Sequence, residues 1–157
     1  HHRLVGSEMC IRDSYLTALR KIYEIMNDKG ICVLHTIGSI LTPQPNAPFI
    51  QRYIFPDGEI PHESDMAKNI EKSGLIMSDR ETLIRHYDKT LEAWLKRFLK
   101  NKHIVKDLFD EKFVRMWEMY LSGCSAAFRY RDLVVFQYQL VKNFDAIPSN
   151  RRDYIYS

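Results

Sequence analysis

Apolar residues recur along the chain at two spacings, and the switches between them outline most of its elements. Leu16, Leu19, Ile22, Tyr23, Ile25 and Met26 fall at helical intervals. Asn27-Asp28-Lys29-Gly30 then supplies a polar stop with a glycine suited to the left-handed position that closes a helix. A helix ending at Gly30 is expected. Ile31 to Leu34 follows as a short unbroken apolar run with β-branched members, the pattern of a strand covered on both faces. Helix, glycine and buried strand make half of a βαβ unit, which predicts an α/β fold with a parallel sheet. Ligands of such sheets gather beyond the carboxyl ends of the strands, and in "ICVLHTIGS" His35 stands at that expected end.

Pro43, Pro45 and Pro48 then forbid regular helix and mark a loop crossing the sheet edge. Phe49, Ile50, Tyr53 and Ile54 share one helical face, and Pro56-Asp57-Gly58 closes that short element with a turn. Asp65 to Ser73, ended by Gly74, reads as another helix. Tyr87, Leu91, Trp94, Leu95, Phe98 and Leu99 form one apolar stripe, with Lys89, Lys96, Arg97 and Lys100 largely outside it. Phe113, Met116, Trp117, Tyr120, Leu121 and Cys124 form a second. Such stripes ordinarily bury area as core. "DLVVFQYQLV", Asp132 to Val141, has the β-branched and aromatic content of a strand, and an irregular tail, "KNFDAIPSNRRDYIYS", follows it.

A chain of 157 residues that is 45% hydrophobic has the size of one globular domain with its own core. Its net charge of +3 is far below the basic concentration of a nucleic-acid binder. No window reaches the roughly 18 apolar residues of a membrane span, and the N-terminus lacks the apolar core of a secretion signal. A cytoplasmic protein, at most peripheral to a membrane, is expected. Cys10, Cys32 and Cys124 are too scattered for a disulfide framework or a zinc site and read as reduced, buried thiols. The opening "HHRLVGSEMCIRDS" has no sustained period and resembles translated linker sequence. Residues 1–14 are therefore set aside as non-native or disordered, and the domain is read over 15–157.

The catalytic inventory is mostly negative. No glycine-rich dinucleotide loop follows a strand, and there is no P-loop, GxSxG or HExxH. His35, His62, His86 and His103 lack ligand spacing, and no metal is expected. From the residues alone the reading stops at an α/β domain with a candidate site near His35. A lone histidine of this kind is more often a hydrogen-bonded structural imidazole than a ligand.

The blocks "LHTIGS", "FIQRYIFPDGEIP", "HYDKTLEAWLKRF", "FVRMWEMYLSGCSAAFR" and "VVFQYQL" stand in an order and wording that resemble the C-terminal half of cyclopropane-fatty-acyl-phospholipid synthases. The related mycolic acid cyclopropane synthases carry the same blocks, and the resemblance runs from Tyr15 to Tyr156. It implies the C-terminal part of a Rossmann-like class I S-adenosylmethionine-dependent methyltransferase fold, with a helical insertion. It also implies transfer of a methylene unit from S-adenosylmethionine to the cis double bond of a phospholipid acyl chain. The family holds a bicarbonate ion beside the reacting carbon, and the resemblance assigns its ligands to the His35 side chain, the Ile37 main chain and Tyr87. A glutamate and a cysteine that complete that site, and the glycine-rich half that binds the cofactor, have no counterpart here. The expectation is a fragment, inactive and unable to bind cofactor alone, whose exposed sheet edge favours association, homo-oligomers included.

The chemistry agrees with these assignments. Methyl transfer from a sulfonium to an alkene gives a carbocation that must lose a proton, so a general base is needed in a dry pocket. Bicarbonate can serve if donors hold it, and a histidine ring nitrogen, a backbone N–H and a tyrosine hydroxyl are such donors. Tyr87 lies on the stripe of Leu91 and Trp94, so its ring should face inward from the first turn of its helix. Tyr53, Phe55 and Trp117 are candidates to face the substrate and the cation through their ring faces, a role that competes with plain packing. Two other readings stand beside this one. A related lipid methyltransferase could leave a methyl branch. A lipid-surface or interaction module without chemistry could use the stripe near Trp94 together with Lys96, Arg97, Lys100, Lys102 and Lys106. Contact with the inner face of a membrane suits either enzyme.

Overall fold

The last strand in the chain, β3 (Leu133–Val141), is the middle strand of the sheet, flanked by β1 (Ile31–Ser39) and β2 (Ile76–Leu83). This computed structural model describes residues 12–41, 45–56, 58–147 and 152–153. β1 and β2 both pair antiparallel with β3, so they run parallel to each other with β3 inserted between them. The expected parallel pairing is therefore replaced by antiparallel pairing among the described strands. Burial on both faces, which suggested a parallel sheet, arises here from helices packed on each side of a central antiparallel strand.

One face of β3 presents Val134, Phe136, Tyr138 and Leu140, all at most 1% exposed. They pack with Cys32 and Leu34 of β1, with Leu19 of α1 (Arg12–Ile25), and with Met66 and Ile70 of α3 (Glu63–Ser73). Fully burying a side chain of this size contributes about 1.5–3 kcal/mol, which makes this the principal core. The opposite face carries Leu133 and Val135, joined by Ile37 and Leu83. Here the cover is Leu91 of α4 (His86–Lys100) with Leu121 and Phe128 of α6 (Glu111–Tyr130), linked by the short α5 (Lys102–Leu108). Helices on both faces of one sheet give a three-layer α/β architecture.

The ends of the elements have local causes. The His62 ring accepts the Ser64 N–H at 3.2 Å to cap α3, Glu63 and Asp65 complement its dipole, and Gly74 closes it at φ 84°. Asp110 caps α6 by accepting the Phe113 N–H at 2.6 Å. The short α2 (Pro48–Tyr53) opens on Pro48, where a missing N–H costs nothing.

Several sequence expectations change. α1 opens at Arg12, ahead of Tyr15, and ends at Ile25 rather than Gly30. Gly30 closes a turn through its N–H to the Asn27 carbonyl at 2.8 Å, and it is Gly74 that takes the left-handed conformation. β1 continues through His35 to Ser39, so His35 sits in mid-strand rather than at a strand end. β2 was not anticipated, because a bulge between Met77 and Asp79 breaks its alternation. Cys10, Pro43, Asp57 and most of the tail beyond Ile147 lie outside the described residues, although a 3₁₀ turn spans Phe144–Ala146. Among the described residues no helix is long and apolar enough to cross a membrane.

Candidate active site

Alternation along β1 sends His35 and Ile37 to the face covered by α4 and α6, and Thr36 and Gly38 to the face of α1 and α3. The same alternation orients the backbone. Ile40 donates its N–H toward β3, to the Asp132 carbonyl at 3.3 Å, whereas Ser39 donates in the other direction, to Pro61 at 3.0 Å. With a period of two, the peptide groups of His35 and Ile37 point the way Ser39 does, to the strand edge away from β3. The Thr36 hydroxyl donates to the Ile37 carbonyl at 3.0 Å. What Ile37 offers at that edge is its N–H, which meets no acceptor among the described residues.

His35 is exposed, roughly 7 Å along the strand from Ile37. Its Nδ1 lies 3.2 Å from Nε2 of Gln137, the residue directly opposite on β3. Tyr87 occupies the first turn of α4. Its ring packs edge-on to Trp94 at 5.9 Å and tilted against Phe128 at 5.1 Å. Ile37, Tyr87 and Trp117 all pack into the cluster of Leu91, Leu121, Phe128 and Val135. The fold thus brings Ile37, Tyr87 and Trp117 into one group, with His35 at its exposed margin.

The first turn of α4 has no side-chain cap and follows Arg85, held at φ 63°. It is anchored instead by Asp88, a buried residue whose carboxylate accepts from the Ser125 hydroxyl and from Arg129 Nε at 2.7 Å, both on α6. These two donors hold the Asp88 carboxyl below the usual carboxylate range. Arg129 also pairs with Glu92. Tyr87 is thereby placed by an ion pair one residue away.

The aromatic candidates separate. Trp117 lies 5.1 Å from Tyr120 and stacks on Phe113 at 6.1 Å. Phe55, 41% exposed, meets the cluster through an edge contact with Tyr120 at 6.2 Å. Tyr53, 45% exposed, stands apart with Phe49 and the Arg52 guanidinium. It lines an apolar groove of about 410 Å³ with Phe49, Phe113, Met116 and Met119, a groove that His35, Ile37 and Tyr87 do not line. Cys124 belongs to the cluster, and burial pushes its thiol up to about 11, so it stays protonated at neutral pH. Gln137, Asp88, Ser125 and Arg129 escaped the sequence reading. Gln137 is one of two glutamines in the run "VVFQYQL", and nothing local in the sequence separates it from Gln139.

A sheet layered between helices, with an antiparallel strand inserted and a helical excursion before it, defines part of a class I S-adenosylmethionine-dependent methyltransferase fold. The crystal structure of mycolic acid cyclopropane synthase CmaA1 complexed with SAH and CTAB matches it with a TM-score of 0.74. That match has 25% identity and covers 82% of this chain and 50% of the other. Residues 6–138 match the family described as mycolic acid cyclopropane synthetase, and the chain belongs to that family. Over 124 residues it is 37% identical to the cyclopropane-fatty-acyl-phospholipid synthase of Escherichia coli strain K12, covering 79% of this chain and 32% of that protein. The tuberculostearic acid methyltransferase UfaA1 of Mycobacterium tuberculosis is 38% identical over 96 residues, 60% of this chain and 22% of that protein. The chain thus spans about a third or less of these two curated relatives.

Proposed function

We propose that this chain supplies the base-holding part of the active site in an enzyme that adds a methylene unit from S-adenosylmethionine to the cis double bond of a phospholipid acyl chain. The observation that supports the reading is that Ile37, whose N–H faces the strand edge, packs its side chain into the same cluster as the Tyr87 ring, with His35 two residues away on the same strand. Three uncharged donors of this kind suit a small oxyanion such as bicarbonate. When bound, S-adenosylmethionine supplies an electrophilic methyl group as its sulfonium; no described residue is assigned to hold it. The chain's own residues then have three tasks. His35, Ile37 and Tyr87 fix the anion so that one oxygen can take the proton the lipid cation must lose. The packed rings of Trp117, Phe128 and Trp94 keep water from that cation. Asp88 and Arg129 hold α4 so that Tyr87 keeps its direction.

The same site serves a second reading. A relative named for methyl transfer in tuberculostearic acid supports a product that keeps a methyl branch, since both products begin with a methylated alkene. The chain spans 32% of the E. coli relative, and since its motifs resemble the C-terminal half of the family we read it as that portion of such an enzyme, with cofactor binding and turnover requiring the rest. Tyr87→Phe in the full-length enzyme tests the assignment. Loss of the donor lowers kcat by about 10²-fold or more at unchanged fold, and wild-type turnover would remove Tyr87 from the site.

A further inference from the structure

We propose that Gln137 is a positioning residue that sets the tautomer of His35. Identifying the anion it serves as bicarbonate rests on the function proposed above; the setting of the tautomer does not. An amide nitrogen has hydrogens and no lone pair to offer, so at 3.2 Å the Gln137 Nε2–H donates and His35 Nδ1 accepts. A neutral imidazole that accepts at Nδ1 carries its proton on Nε2. No described residue bonds that Nε2, and the ring is exposed on the face it shares with Ile37. His35 therefore presents an N–H donor outward, beside a margin where the Ile37 N–H is a donor as well.

The reverse arrangement would be adverse. With a carboxylate at position 137, the partner accepts from Nδ1–H, and the neutral ring turns a lone pair outward, toward any bound anion. Gln and Glu have nearly the same shape, so this difference is one of hydrogen-bond polarity and charge and not of packing. Register keeps the pair aligned: Gln137 is opposite His35 on β1 and opposite Glu81 on β2, so its side chain lies in one row across the sheet. Fixing a ligand's tautomer through its second ring nitrogen is a recognised means of orienting histidine.

The test is nitrogen NMR of the full-length enzyme labelled only in histidine, with the His35 ring assigned through His35→Gln. Wild type should show the proton on Nε2 and an accepting Nδ1. Gln137→Glu should move the proton to Nδ1, and Gln137→Leu should remove the hydrogen-bond signature at Nδ1 and let the Nδ1–H tautomer appear beside the Nε2–H form. Either variant that folds suffices. A wild-type ring protonated on Nδ1, or ring signals unchanged in both variants, overturns the inference. A bicarbonate titration in carbonate-free buffer separates the two ideas. The expected result is a wild-type His35 ring that responds to the ion and about a tenfold higher requirement in Gln137→Glu. A tautomer that switches as stated in a ring that ignores bicarbonate would support the role of Gln137 and refute the anion assignment.

Discussion

Each member of the H-T-I-G run has a separate physical reason for its place. Thr36 turns its hydroxyl onto the Ile37 carbonyl, and Ile37 buries its side chain while its N–H faces the strand edge. Gly38 answers to packing: a Cβ there would stand 2.5 Å from the Phe136 ring and 3.1 Å from the Pro61 carbonyl. Phe136 is fully buried in the main core and has little room to retreat. Gly38→Ala should therefore lower stability by about 1–3 kcal/mol in denaturant unfolding, and an unchanged midpoint would show that the ring can move aside. Of the site, the sequence made His35, Ile37 and Tyr87 legible through resemblance to a family. It left Gln137 unread, because cross-strand neighbours depend on register, which no local pattern states.

Among the elements, α4 and α6 matter most to the site, and their contact is held at one end by Asp88, Ser125 and Arg129. Asp88 titrates below its ordinary value of 3.8 when folded, so its contribution to stability is complete above about pH 4 and is lost as the pH falls through the folded value. Asp88→Asn should cost about 1–3 kcal/mol at pH 7, and the gap to wild type should close as the pH falls below 4. A gap that persists unchanged at pH 2.5 would mean that packing, not charge, carries the contact. α4 and α6 were legible through their apolar stripes, β3 through its β-branched and aromatic content, and α3 through the glycine that ends it. β2 was not, since Ser78 at its bulge interrupts the alternation and four consecutive polar residues, Ser78 to Glu81, resemble a loop. Strand direction was equally hidden, for burial on two faces looks the same in parallel and antiparallel neighbours.

At the scale of the whole molecule, the helical layer ends in a tip of exposed apolar side chains around α5. Leu108 is 72% and Phe109 59% exposed, with Leu99 and Ile104 nearby in the chain. Lys102 and Lys106, two members of the basic group beside the Trp94 stripe, are paired with Glu118 and Glu111. Lys96, Arg97 and Lys100 precede the tip on α4, and weak contact of this end with an anionic lipid surface is an expectation open to test. Full-length enzyme carrying Leu108→Ser and Phe109→Ser should sediment less with anionic liposomes than wild type, and equal sedimentation would place membrane contact elsewhere. In the function we propose, β1 and α4 together hold a bicarbonate ion used as base. The most direct measurement of that role is turnover of the full-length wild-type and Tyr87→Phe enzymes in carbonate-free buffer, titrated with bicarbonate. Wild-type turnover should collapse without the ion and recover on its addition, and the variant should need about tenfold more for half of its own maximum. Wild-type turnover that persists at full rate without bicarbonate, or a variant with the wild-type requirement, would contradict this role for the ion and for Tyr87.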